Sequence, residues 1–222
     1  MINPQDFLKA GQQLHGHKCP AMPMGLRVGA AAMNALGVER AADGQLVALV
    51  EIGENHFATC FADGVQMITG CTFGKGNIQR LHRGKWGLTL IDKGSGRSVR
   101  VTPRASAILA NTETSFFTEY RSKGVPASKV PAEIVEPLVD KVMAAPEEKI
   151  LDIGEVQSCD WSEPVHSFDA FTCDACQELV IEGYGRVSGE RRVCIACHEK
   201  LSNVAEPAVS GSCGNVSACS CC

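Results

Sequence analysis

Residues 14 to 25 read LHGHKCPAMPMG, which places His15, His17 and Cys19 within five positions. A histidine and a thiolate two residues apart on a non-helical segment can point at one ion, and imidazole with sulfur suits zinc or another borderline metal. A third ligand must come from elsewhere in the chain. Cys60, Cys71 and His56, four residues before Cys60, are the candidates. If residues 61 to 70 are helical, Cys60 and Cys71 stand eleven residues apart, or about 16 Å at 1.5 Å per residue, so only one of them can join a mononuclear site. Spacing alone does not choose between them. The competing reading is a plain loop, with Cys19 a small buried hydrophobe and His17 satisfied by hydrogen bonds. His15 and His82 read as ordinary surface or core residues.

A second set is more sharply defined. CDACQELVIEGYGRVSGERRVCIAC is C-x2-C-x17-C-x2-C, formed by Cys173, Cys176, Cys194 and Cys197. Each C-x2-C turn converges two thiolates, and a short hairpin in the intervening residues would unite the pairs around a tetrahedral zinc. Four thiolates leave no open position, so this zinc is structural, and a module with so little core depends on it to fold. Cys194, Cys197 and His198 also spell the c-type haem pattern, but the upstream pair gives those cysteines better employment. A thioredoxin-like reading lacks its βαβ context. The glycine-rich stretch TGCTFGKGN is not a P-loop, because three residues rather than four precede its Gly-Lys pair and Gly76 follows Lys75. It is read either as an anion-approaching loop with Lys75 adding charge or as a tight connection.

The elements that position these residues are those of a globular α+β protein, with 45% hydrophobic and 21% charged residues over 222 positions. A net charge of -4 with no basic stripe argues against nucleic acid. The first residues lack the blocks of a signal peptide, and no apolar run approaches the roughly 20 residues that span a bilayer, so no membrane is expected and the cytoplasm is the expected compartment. Twelve cysteines in a reducing compartment point to metal rather than disulfides. Asn3 and Pro4 open a helix that ends near Gly16, and a second, buried helix runs from Met24 to Leu36 with Gly37 behind it. QLVALVEI reads as a strand, FADGVQMITG as a helix, WGLTLID and RSVRVTP as a hairpin around Gly94 and Gly96, and KILDIGEVQ as a returning strand. Gly124, Pro126 and Pro131 divide helical segments between 104 and 145. The expected division is a core domain over 1–166, a zinc-ribbon or treble-clef-like module over 167–204, and a flexible cysteine-rich tail over 205–222. Cys159 reads as a buried free thiol.

GHKCPAMPMGLRVG, followed by CFADGVQMITGCTFGKGNI and HRGKWGLTLID, resembles the FmdE family, named for its association with formylmethanofuran dehydrogenase, over roughly residues 5 to 155. The resemblance implies a dimeric α+β core with a cleft, and makes His17, Cys19 and Cys60 the favoured ligands of a second metal, again zinc. It places Asp63, Gln66, Lys75 and Asn77 around that site as candidate cofactor-binding residues, with Cys71 beside them. Ala21 and Gly64 stand where the family pattern has glycine and alanine. The chain carries no molybdopterin or iron-sulfur pattern, so the function implied is that of an accessory or regulatory component in molybdenum- or tungsten-linked redox metabolism, with redox-enzyme subunits as its partners. The alternatives are a stand-alone metal-dependent enzyme acting through the core site, and soft-metal or sulfur delivery by the tail.

Overall fold

The computed structural model describes residues 1–54, 59–162 and 168–202. They fall into two compact units, one ending at Trp161 and the next beginning at Ser162.

The first unit opens with helices α1 (Gln5–His15) and α2 (Ala21–Leu36). Helix α2 begins three residues before the expected Met24, because Pro23 still lies in the first turn, where a missing N–H costs no helical hydrogen bond. It is small and apolar on nearly every side, and such a helix belongs in the interior. Met22, Leu26, Met33 and Leu36 are fully enclosed. Strand β1 (Leu46–Val50) follows, then α3 (Cys60–Thr69) and β2 (Ile78–Arg80). Strands β1 and β2 are parallel, so their connection must cross over, and α3 makes the crossing.

The hairpin of β3 (Leu88–Asp92) and β4 (Arg97–Pro103) forms as the sequence anticipates. Helices α4 (Ala105–Thr112), α5 (Ala132–Ala144) and α6 (Glu147–Ile150) come next, and β5 (Leu151–Ile153) and β6 (Gln157–Ser158) return to pair with β4. The sheet order is β2-β1-β3-β4-β5. Its inner face, with Leu46, Ala48, Leu88, Leu90, Val99 and Val101, joins α2 and α3 in one core.

Backbone proximity between α2 and α3 is extreme. A Cβ on Gly25 would lie 2.1 Å from the Phe61 carbonyl oxygen, and one on Gly64 would lie 2.1 Å from that of Met22. Only glycine fits at such a crossing. The two helices therefore run in contact near their N-terminal ends, where Cys19 and Cys60 sit.

The second unit holds β7 (Ala170–Thr172), β8 (Leu179–Ile181), β9 (Gly185–Ser188), β10 (Arg191–Cys194) and α7 (Ile195–Leu201). The sequence leads one to expect a single hairpin between the cysteine pairs; two form, β7 with β8 and β9 with β10. The first hairpin folds around the Cys173–Cys176 turn, and its turn continues into β8. The order of turn, hairpin and helix is treble-clef-like. Among the described residues of this unit, Cys173 and Val193 are its fully buried apolar side chains.

Candidate metal centres

In the core unit the donor set begins at the end of α1. Gly16 takes a left-handed conformation, φ 85°, and reverses the chain so that His15 and His17 return to the same place. Their ring centroids lie 4.1 Å apart and their Nε2 atoms 3.1 Å apart. Cys19 Sγ lies 3.6 Å from His15 Nε2. Cys60, the first residue of α3, completes the group through the α2–α3 contact. One donor atom from each of His15, His17, Cys19 and Cys60 lies within 4.8 Å of every other.

Asp63, one turn into α3, supports this arrangement. Its Oδ2 is 2.7 Å from His15 Nδ1, and because an ionised carboxylate only accepts, the imidazole donates from Nδ1 and turns Nε2 toward the other donors. A carboxylate behind a histidine is the usual second partner of a metal-bound imidazole. Gln66 Nε2 donates to Asp63 Oδ1 at 3.2 Å, and Gln66 Oε1 accepts from the Phe73 N–H at 3.1 Å.

The charges follow from these contacts. The Cys60 thiol beside Cys19 holds the latter well below the ordinary thiol range; burial opposes this, and His15, His17 and the Met22 N–H reinforce it. Burial works against an imidazolium at His15, yet the bonds to Asp63 and Cys19 outweigh it and raise the group to about 10. Without metal, the group is thus an imidazolium–thiolate pair at 2–3% exposure of its two cysteines. Both sulfurs lie at helix N-termini, where the helix dipole favours a thiolate.

The other expected residues are placed differently. Cys71 lies past the far end of α3, outside the donor group, and burial pushes its thiol up to about 11. Asp63 and Gln66 reach the site. Lys75 Nζ instead donates to the carbonyls of Ala41 and Gly70, at 3.0 and 2.9 Å. Asn77 is buried and donates to the carbonyls of Asp43 and Leu46 while accepting from the Thr72 N–H. These two side chains lock the loop from residue 70 to 77 to the chain before β1, which is the tight-connection reading of TGCTFGKGN. His56 and the tail cysteines Cys213, Cys219, Cys221 and Cys222 lie outside the described residues. Cys159 is a free thiol but partly exposed rather than buried. His15, which the sequence presents as ordinary, is the central member of the group; its only sequence signal is its place four residues before Cys19.

In the second unit Cys173, Cys176, Cys194 and Cys197 bring their sulfurs within 4.8 Å of one another. The Cys194 N–H donates to Cys173 Sγ at 3.3 Å and the Cys197 N–H to Cys194 Sγ at 3.4 Å. Backbone N–H donation, chiefly from Cys176, brings Cys173 down to about 6, whereas the neighbouring Cys194 sulfur drives Cys197 up to about 12. One negative sulfur makes the next costly, and a cation in their midst removes that conflict. Both donor sets suit a metal of borderline softness; four sulfurs fit a closed tetrahedral site, and two imidazoles with two thiolates fit a second.

Comparison with known proteins agrees with this chemistry. The family model described as "FmdE, Molybdenum formylmethanofuran dehydrogenase operon" matches residues 14–152. An Archaeoglobus fulgidus protein named "Probable S-adenosyl-L-methionine-binding protein" is 30% identical over 195 residues, covering 81% of this chain and 51% of that protein. The present chain therefore spans about half the length of that relative. The crystal structure of an FmdE-like protein of tungsten formylmethanofuran dehydrogenase from Syntrophus aciditrophicus superposes with a TM-score of 0.57 at 21% identity, covering 89% of this chain and 92% of that one. At that identity the likeness is one of fold.

Proposed function

The chain belongs to the FmdE family, and on that premise we propose that it is a two-zinc accessory protein of molybdenum- or tungsten-linked redox metabolism. In this reading His15, His17, Cys19 and Cys60 hold one zinc in the core unit, and Cys173, Cys176, Cys194 and Cys197 hold a structural zinc in the second. The observation that carries the core site is the Asp63–His15 contact of 2.7 Å. A buried cysteine needs no oriented imidazole, whereas a metal-bound histidine needs its second nitrogen satisfied. The accessory role rests on the operon named in the family description and on a fold shared with a protein titled as FmdE-like. It further takes the protein to act in the cytoplasm, as a homodimer, alongside the other components of a redox enzyme; no described helix is long and apolar enough to cross a membrane.

A zinc at the core would supply a Lewis acid or a held thiolate, and this chain's own contribution is to fix the donors: Asp63 sets the tautomer of His15, Gly16 returns His17, and the α2–α3 contact pairs Cys19 with Cys60. Elemental analysis of the purified full chain, prepared without affinity metals, tests the metal assignment. We expect the zinc content to fall by one equivalent in Cys19→Ser and by one in Cys173→Ser. Equal zinc in Cys19→Ser and the parent overturns the core site. For the accessory role, affinity capture of the chain from its own cells under gentle conditions should bring down molybdenum or tungsten with the bound proteins, and their absence from the captured material would remove it.

A further inference from the structure

A groove of about 360 Å³ lies along β2, the edge strand of the sheet, and its size falls in the ~300–1,000 Å³ range of small-molecule sites. Its buried lining is apolar, from Val50, Ile52, Ala62 and Ile78. Its exposed rim carries Arg80, His82, Gln79 and Phe73, the last with 90% of its surface open to solvent.

His82 is held in a left-handed conformation, φ 52°. A non-glycine residue persists there when its surroundings over-determine the backbone, and such positions gather at binding sites. The surroundings do so here. The Leu81 N–H donates to the Val50 carbonyl at 2.8 Å, and the N–H groups of Arg83 and Lys85 both donate to the Glu51 carbonyl, at 3.0 and 3.1 Å. The Glu51 carboxylate, 2% exposed, grips Arg100 at 2.7 Å and Arg83 at 3.2 Å. Arg80, Arg83, Lys85 and Arg100 thus stand against Glu51 and the groove's own carboxylate, Glu54, and positive charge is in excess.

We propose that this groove binds a small organic anion with a flat apolar body. Arg80 and His82 receive the acid group, Phe73 stacks on the ring, and the apolar lining takes its underside. Gln66 lines the groove and also donates to Asp63, so the bound anion would lie one side chain away from the carboxylate behind His15. The proposal stands whether or not a metal occupies the core donors.

The test is a titration of the full chain, as purified, with 8-anilinonaphthalene-1-sulfonate, which joins a flat apolar body to an anionic group. Fluorescence gives the affinity, and ¹⁵N NMR of the Gln66 and Gln79 side-chain amides gives the location. We expect one saturable site, shifts of both amides, and about tenfold weaker binding in Arg80→Glu, with a smaller loss in Phe73→Ala and unchanged metal content in both. Binding that leaves the two amides unmoved, that is indifferent to Arg80→Glu, or that does not saturate overturns the proposal.

Discussion

In the core unit, four soft donors are carried by α1, the turn after it and α3, and the helices are fixed by a large apolar core and by glycine contacts far more extensive than the site itself. In the C-terminal unit, four cysteines sit on two small hairpins and a helix of seven residues, with Cys173 and Val193 enclosed and little else. The first donor set is assembled by the fold. In the second, the donors are most of what there is to fold around. One chain therefore holds a site that a metal would occupy and a module that a metal would build.

The largest expected effect separates these two directly. Chelation at pH 7 should abolish amide exchange protection across 168–202 while β1, β3 and β4 stay protected, since structural zinc contributes roughly 10–16 kcal/mol to small zinc modules. Protection that survives chelation in the second unit would break the comparison. Gly64→Ala acts in the opposite place. Its methyl group meets the Met22 carbonyl oxygen at 2.1 Å, so the core should lose about 2–3 kcal/mol in denaturant unfolding, as overpacked cores do, and hold the core metal less tightly. The metal content of the four-cysteine set should not change.

Asp63→Asn is expected to lower metal affinity at the core by about 10- to 100-fold, the usual cost of losing the partner behind a metal-bound histidine, and to leave the second unit untouched. Competition with a chromogenic chelator reads this. The metal-free core unit should also show a particular pH profile. His15 is raised to about 10 from 6.5 and Cys19 is lowered well below 9.0. Between about 6.5 and 9 the folded chain holds the proton on His15 and the unfolded chain holds it on Cys19, so this pair contributes no slope. Above 9 the folded chain keeps the extra proton and stability falls as pH rises through 10; toward acid the unfolded chain keeps it, and stability falls as Cys19 protonates. Thermal unfolding of metal-free protein across this range should give a plateau with two declining flanks, and Asp63→Asn should draw the alkaline flank to lower pH. The smallest effect is expected at Lys75→Ala, which loses two bonds to backbone carbonyls at an exposed residue, about 1 kcal/mol or less in stability, with both metals retained.

The four-cysteine set is legible in the sequence because every relation in it is local: two C-x2-C turns whose geometry is set by adjacent peptides, joined by chain too short to carry them far apart. The α+β class, the buried helix after Cys19 and the hairpin at Gly94 are legible for the same reason, being written in periodicity and turn residues. The choice of Cys60 over Cys71 is not. Helical rise shows that the two cannot share an ion, but which end of α3 meets Cys19 depends on the meeting of Gly25 with Gly64, residues that carry no side chain to signal it. Lys75 and Asn77 look like ligand residues because their types suit that role, whereas the backbone they bind belongs to the segment before β1. His15 looks ordinary in the sequence because its partner is Asp63, which comes to it only through the packing of α1 against α3. The sequence by itself determined which residues can donate to a metal and where chain reversals hold them in pairs. The tertiary structure alone decided which distant donors meet, because that choice is made by the close approach of two helices and not by any spacing along the chain.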